Sequence, residues 1–348
     1  MKKIKIVHIG VAHDHSMPNF ECIASMPETF ELLGFVRVPG EEDYNPGFNK
    51  NFPDIPLLTL EEAFAIPGLE AVSVDTTDLE LVKYATMAAE RGLHVFMDKP
   101  GSQQTEDFEH MLSVIRKQGK VFCMGYMYRF HPFIQQALQM VKEGKLGEIY
   151  AVEAHMSRDD KLEKRAWLGQ FKGGMTFYLG CHLIDLIHTF LGVPEEILPL
   201  NTCATKEVGT EDLGMVAFRY PGGLSFCKAC GAEPGGFMRR QLVICGTLGS
   251  LEIRPLEQYT CGIPYYCDSV LYTAIRKEPD KPLAWIKPSE VTPCEPYHRY
   301  RGVFEDFAQK VRSGRPTSDE ELLREARVHR ILLASCGIDC DYKGEITL

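Results

Sequence analysis

Short runs of apolar, β-branched residues alternate with amphipathic stretches through the first third of the chain. Ile4 to Ile9, Phe30 to Val38, Ala71 to Asp75, Leu93 to Met97 and Val121 to Gly125 read as strands with little polar interruption. Between them, Leu79 to Arg91, stopped by Gly92, and Thr105 to Gln118 carry helical spacing. Strands apolar on both faces, separated by helices of about 10 to 15 residues, predict a parallel sheet covered on both sides. That is a doubly wound α/β domain, expected over residues 1–125. Ligands on such a domain bind beyond the carboxyl ends of the strands.

From Ile149 the pattern changes to longer, alternating segments: Ile149 to Met156, Leu213 to Tyr220, Gly223 to Ala232, Arg239 to Cys245 and Gly249 to Ile253. Alternation predicts a large open, mostly antiparallel sheet with one face packed on helices. Those helices are expected at Pro132 to Gly144, around Tyr178 to Leu191, at Tyr297 to Ser313 and at Asp319 to Ser335. The second domain is therefore an α+β unit expected over residues 126–348, with 255–296 an irregular excursion rich in Pro and Tyr. An open sheet face bearing apolar residues predicts self-association as a homodimer or homotetramer.

A chain of 348 residues exceeds the usual single core, in keeping with two domains. Its net charge of -10 argues against a nucleic-acid or anionic-membrane surface. No stretch approaches the roughly 20 apolar residues that span a bilayer. Met1-Lys2-Lys3 leads directly into a strand without a cleavable apolar segment, so a cytoplasmic location is expected. The 12 cysteines are scattered, as expected of reduced thiols. Cys227 and Cys230 have zinc or redox spacing but lack a matching second pair, and no metal is expected.

After its first strand a dinucleotide site calls for G-x-G-x-x-G. Gly10, Ala12 and His15 stand at those positions, so only the first glycine is met. Ser16, followed by Met17-Pro18, reads as an N-cap with proline in the first turn, which places helix amides where a phosphate can sit. His13 and His15 raise a second reading, because H-x-H at a strand end can ligate a metal in hydrolases built on parallel strands. The bland reading is a pair of loop histidines beside nucleotide or solvent. Beyond the second strand, Arg37 falls where an arginine pairs with a 2′-phosphate, while Glu41 or Glu42 can take ribose hydroxyls. NAD and NADP both stay open.

Asp98-Lys99-Pro100 ends the fourth strand, beyond which a nicotinamide ring would rest. Desolvation there favours the neutral amine, which can exchange a proton with a hydroxyl. Two further motifs follow in order, Gly125-Tyr126-Met127-Tyr128-Arg129-Phe130-His131-Pro132 and Gly173-Gly174-Met175-Thr176-Phe177-Tyr178-Leu179-Gly180-Cys181-His182-Leu183-Ile184-Asp185. With them the chain resembles the glucose–fructose oxidoreductase/inositol dehydrogenase (Gfo/Idh/MocA) family over nearly its whole length. The resemblance implies NAD(P)-dependent oxidation or reduction of a sugar, cyclitol or related polyol at a secondary alcohol. It equates Lys99 with the lysine of an E-K-P motif, His182 with the catalytic histidine and Asp185 with the acidic residue that grips substrate hydroxyls.

The chain departs from that family at several positions. Asp98 replaces glutamate, and Leu81 replaces a histidine that follows a T-P-x-x-x segment, here beginning at Thr76. Tyr178 replaces an aspartate, and on a regular helix it shares a face with His182 four residues on. His188 reads as a structural helix residue. The expected mechanism is hydride transfer with Lys99, His182 and Tyr178 handling protons and Asp185, Arg129 and Arg158 orienting substrate. Gly10, Ala12, His13, His15, Arg37, Thr76 and Lys99 are the expected cofactor contacts. Two alternatives remain: a non-catalytic cofactor- or sugar-binding sensor on the same fold, and a metal-dependent hydrolase using His13 and His15.

Overall fold

A computed structural model describes residues 2–50, 52–259, 262–283 and 289–348, which form two compact units. The first comprises Met1–Met127, Tyr300–His329 and Glu345–Leu348; the second comprises Tyr128–Arg299 and Arg330–Gly344.

In the first unit the elements run β1 (Ile4–Ile9), α1 (Ser16–Ala24), β2 (Phe30–Val36), β3 (Leu57–Leu58), α2 (Leu60–Ala65) and β4 (Ala71–Val74). They continue with α3 (Leu81–Glu90), β5 (His94–Met97), α4 (Thr105–Gln118) and β6 (Phe122–Met124). All strand pairs are parallel, in the order β3-β2-β1-β4-β5-β6. The order reverses at β1, so the ends of β1 and β4 form the switch point of a doubly wound sheet. The expected strands and helices all appear close to their anticipated ends.

The elements the pattern missed, β3 and α2, are short. Helix α2 is nonetheless set by a capping box, in which the Glu62 amide donates to Thr59 Oγ1 at 3.2 Å and the Thr59 amide donates to Glu62 Oε2 at 2.8 Å. One expectation needs correction: Ser16 is not the N-cap of α1. His15 holds that place without a side-chain cap, and Ser16 Oγ instead donates to the Gly10 carbonyl at 3.0 Å. The competing partner is the tight turn itself, whose carbonyl takes the hydroxyl.

Val11, Phe20, Phe35 and Phe48 form one buried cluster beside β1 and β2. His8, fully buried in β1, stacks on Phe48 at 5.5 Å and lies 2.9 Å from Ser16 Oγ through Nε2. Burial drives its ring down to about 3, so the imidazole is neutral. The helix Arg301–Ser313 sets Phe304 against Phe96 of β5 and Phe30 of β2, ring centroids 4.5 and 6.3 Å apart.

The second unit contains α5 (Pro132–Lys142), β7 (Ile149–Ser157), α6 (Leu162–Trp167) and α7 (Cys181–Leu191). Its other strands are β8 (Glu196–Thr202), β9 (Leu213–Tyr220), β10 (Gly223–Cys230), β11 (Gln241–Gly246), β12 (Gly249–Ile253), Val270–Ile275 and Glu290–Pro293. They make an eight-stranded sheet in which β12-β11-β7-β10-β9-β8 are consecutive and Val270–Ile275 and Glu290–Pro293 extend the β12 side. Pairing is antiparallel except between β7 and β10. Helix α7 packs on β7. Strand β8 forms the outer edge, where Pro199 is tolerated because no further strand needs its missing donor. Part of the expected irregular excursion is thus sheet; Cys261 and residues 284–288 lie outside the described residues. The described cysteines are free thiols, and no described helix is long and apolar enough to cross a membrane.

Gly10 decides how closely β1 and β4 approach. Its φ is +94°, and a Cβ there would lie 2.4 Å from the Thr76 amide nitrogen. Gly10→Ala is therefore expected to cost about 1–3 kcal/mol and to lower the thermal unfolding midpoint. Differential scanning calorimetry of the variant measures this, and an unchanged midpoint contradicts it.

Candidate active site

In the first unit the site is built where β1, β4 and β5 end. Lys99 stands two residues past the end of β5 and is buried, with a cis bond to Pro100. Its backbone N–H donates to Asp98 Oδ1 at 2.7 Å. Asp98 Oδ2 accepts from Asn19 Nδ2 at 2.7 Å, and the His15 ring Nδ1 lies 3.2 Å from both carboxylate oxygens. The same Asn19 amide donates to Asp75 Oδ1 at 2.6 Å, while Ser73 Oγ donates to Asp75 Oδ2 at 2.6 Å. One amide nitrogen thus bridges two buried carboxylates.

Electrostatics sort that pair. Burial and the neighbouring Asp98 charge push the Asp75 carboxyl up to about 8. Burial also acts to raise Asp98, but the His13 and His15 rings and the Lys99 ammonium outweigh it and hold Asp98 far below the ordinary carboxylate range. Burial likewise opposes charge on His13, yet Asp98 and Asp78 prevail over Lys99 and raise that ring above its ordinary value. His15 goes the other way, drawn down to about 4 chiefly by burial.

The turn after β1 differs from a glycine-rich one. His13 accepts the His15 amide N–H on Nδ1 at 3.1 Å, so the first turn is held by its own side chain. Arg37, expected at a 2′-phosphate, donates instead to the carbonyls of Glu41, Tyr44 and Asn45 in its own loop. Glu41 is buried, and its Oε2 accepts from the Val11 and Val38 amides at 2.8 and 3.3 Å. Burial raises its carboxyl against those amides.

In the second unit Arg129 and Asp185 form a two-pronged ion pair. Arg129 Nη2 donates to Asp185 Oδ1 at 2.6 Å and Nε donates to Oδ2 at 3.0 Å. His182 lies three residues before Asp185 on α7, buried, with its ring edge-on to Tyr128 at 5.1 Å. The Tyr128 hydroxyl donates to Glu257, whose carboxylate also holds Arg240 and Arg299. Sequence patterning missed Glu257, Arg240 and Arg299, since they come from separate segments with no shared spacing. Asp75 and Asn19 left a fainter trace, being polar residues at a strand end and on a helix face that should be apolar.

Tyr178 belongs not to α7 but to a π-helical turn, Thr176–Gly180, that precedes it. Wider i→i+5 bonding breaks the rule that residues four apart share a face, which the sequence reading relied on. The phenol is buried against Trp167 at 5.3 Å and accepts from Arg158 Nη1 at 3.3 Å. Arg158 Nε also donates to Asp160 Oδ1 at 2.9 Å. The turn starts after Gly174, where a Cβ would lie 2.1 Å from the Glu211 carbonyl oxygen.

Residues 36–126 match a model described as an oxidoreductase family with an NAD-binding Rossmann fold, and residues 134–252 match the GFO/IDH/MocA C-terminal domain. The chain belongs to this GFO/IDH/MocA oxidoreductase family. It is 30% identical over 148 residues to D-glucoside 3-dehydrogenase of Escherichia coli, covering 41% of each chain. It is 25% identical over 165 residues to D-xylose 1-dehydrogenase (NADP(+)) 2 of Haloferax volcanii, covering 47% of this chain and 50% of that one. These alignments span half or less of those relatives. In fold it is similar to a putative NADPH-dependent oxidoreductase of Desulfitobacterium hafniense, with a TM-score of 0.79, 19% identity and coverage of 97% and 95%.

The residues present fit a dinucleotide. Glu41 Oε1 is a buried acceptor with no hydrogen-bond partner at the end of β2, where a ribose hydroxyl is taken in such folds. Gly10 supplies the close turn that the first glycine of the motif serves.

Arg299 and Arg240 outweigh burial and hold Glu257 below its ordinary 4.5. A depressed carboxylate stabilises the fold in full above that ordinary value and loses the contribution as pH falls through the folded one. Glu257→Gln is expected to cost about 3–5 kcal/mol at neutral pH by leaving two guanidinium groups without their anion. It also flattens the acid side of a melting-temperature profile taken between about pH 3 and pH 7. A profile parallel to the wild type, merely displaced, contradicts this role.

Proposed function

We propose that the protein is an NAD(P)-dependent oxidoreductase interconverting a secondary alcohol and a ketone on a sugar, cyclitol or related polyol. One observation carries this reading: a buried lysine, Lys99, stands just past β5, next to the buried Asp98, on an NAD-binding fold. The sugar dehydrogenase names of two relatives support the substrate class.

The first unit holds the dinucleotide. Gly10 and Ala12 give the close turn, Thr76 lines it, and Glu41 takes the ribose. Bound there, the nicotinamide supplies the carbon that gives or accepts hydride. Lys99 holds or moves the proton of the reacting oxygen, and His182 is the second proton carrier. Asp185, fixed by Arg129, presents carboxylate oxygens to substrate hydroxyls. Tyr178, tied to Arg158, orients rather than neutralises, because a phenol cannot balance charge as a carboxylate does.

Lys99→Ala is expected to lower kcat about 10²–10⁴-fold while fluorescence titration with NADH or NADPH shows binding retained. Activity near wild type removes Lys99 from the chemistry. Tight dinucleotide binding by the wild type, with no hydride transfer to any of a polyol and keto-sugar panel, would favour a sensor instead.

The protein also self-associates through its open sheet. Leu198 and Leu200 on β8, Met215 opposite Leu200 on β9, and Leu224 on β10 are exposed apolar side chains. Leu200→Glu is expected to shift the mass measured by light scattering toward a single chain, and an unchanged mass rejects this face. We place the protein in the cytoplasm, a reading that its free thiols support.

A further inference from the structure

We infer that His13, His15 and Asp98 form a binding site for one divalent first-row transition-metal ion, of the class that zinc represents. The donor set is two imidazole nitrogens and a carboxylate oxygen, all within 4.8 Å of one another. His15 Nδ1 lies 3.2 Å from Asp98 Oδ1, and His13 Nδ1 lies 3.7 Å from Asp98 Oδ2. Ligands about 2.1 Å from a tetrahedral metal stand roughly 3.4 Å apart, close to both histidine–carboxylate separations. Three protein ligands leave a fourth position for water or another oxygen.

The surroundings supply an independent argument. A metal-bound histidine commonly donates its other ring N–H to a carboxylate, which fixes the ring. His13 Nε2 and Asp78 Oδ1 face each other at 3.5 Å, both are buried, and neither has a hydrogen-bond partner. Metal on Nδ1 requires the proton on Nε2, and that proton points at Asp78. Asp98 is braced by Asn19, as ligating carboxylates usually are.

Two features oppose binding and shape the test. Lys99 brings a positive charge to the same cluster. The His15 amide N–H also occupies the His13 Nδ1 lone pair at 3.1 Å and has to yield to the ion. The ion then does what that hydrogen bond does now, holding the β1–α1 turn, and additionally joins it to the end of β5. The turn lacks the second and third glycines of a phosphate-binding loop, and histidine in their place gives it ligands.

The inference does not rest on the dehydrogenase reading, and its experiment uses neither dinucleotide nor polyol. The full chain, stripped with chelator and dialysed, is titrated with Zn²⁺ by calorimetry and with Co²⁺ by visible absorption. One equivalent is expected to bind, with Co²⁺ showing the ligand-field bands of a low-coordinate N/O site. His15→Ala, at the partly exposed ligand, is expected to abolish that equivalent with the far-ultraviolet circular dichroism unchanged. Asp78→Asn is expected to weaken binding about 10–100-fold by loosening the His13 ring. Absence of a stoichiometric equivalent in the wild type overturns the proposal. So does binding that His15→Ala and His13→Ala leave untouched, which would put the ion elsewhere on the protein.

Discussion

A carboxylate sealed from water, that of Asp98, governs the first unit. Leaving such a group charged and alone would be prohibitive, so the chain surrounds it with polar partners from three places. Asn19 comes from α1, His13 and His15 from the turn before it, and the Lys99 amide from the next residue. The turn and α1 are thereby fastened to the end of β5, and Lys99 leaves the strand from a fixed peptide. Phosphate-binding loops reach a comparable arrangement by making room with glycine. This chain fills the space with imidazoles and relies on charge.

The second unit solves a related problem with a different device. Its buried anion, Glu257, is matched by two guanidinium groups and a phenol, which sets the Tyr128 ring against His182. Asp185 is met by Arg129 in a two-pronged contact. Glu257 thus meets two guanidinium groups and a phenol, whereas the contact Arg129 makes with Asp185 is a single fork.

Most of the architecture was legible because its signals are local. Apolar runs gave the strands, 3.6-residue spacing gave α3 and α4, and the Asp98-Lys99-Pro100 and Cys181–Asp185 segments gave the resemblance. What escaped were features decided by partners distant in sequence. Ser16 looked like a helix cap until the Gly10 carbonyl claimed its hydroxyl. Arg37 looked free for a phosphate until three carbonyls of its own loop took the guanidinium. Tyr178 and His182 sat four apart in sequence, but a π-helical turn has no linear code and shifts the register between them. Strand β8 hid behind Pro199, whose penalty vanishes only because that strand is the sheet's edge.

The amide of Asn19, with both of its neighbours acidic, has a consequence for the proton inventory of the whole molecule. Burial and the Asp98 charge push Asp75 up to about 8, which favours the protonated carboxyl at neutrality. Counting residues gives the chain -10, a tally that treats every aspartate as ionised. A protonated Asp75 removes one negative charge from that tally in the native state, and unfolding, which returns the carboxyl to its ordinary range, favours release of that proton.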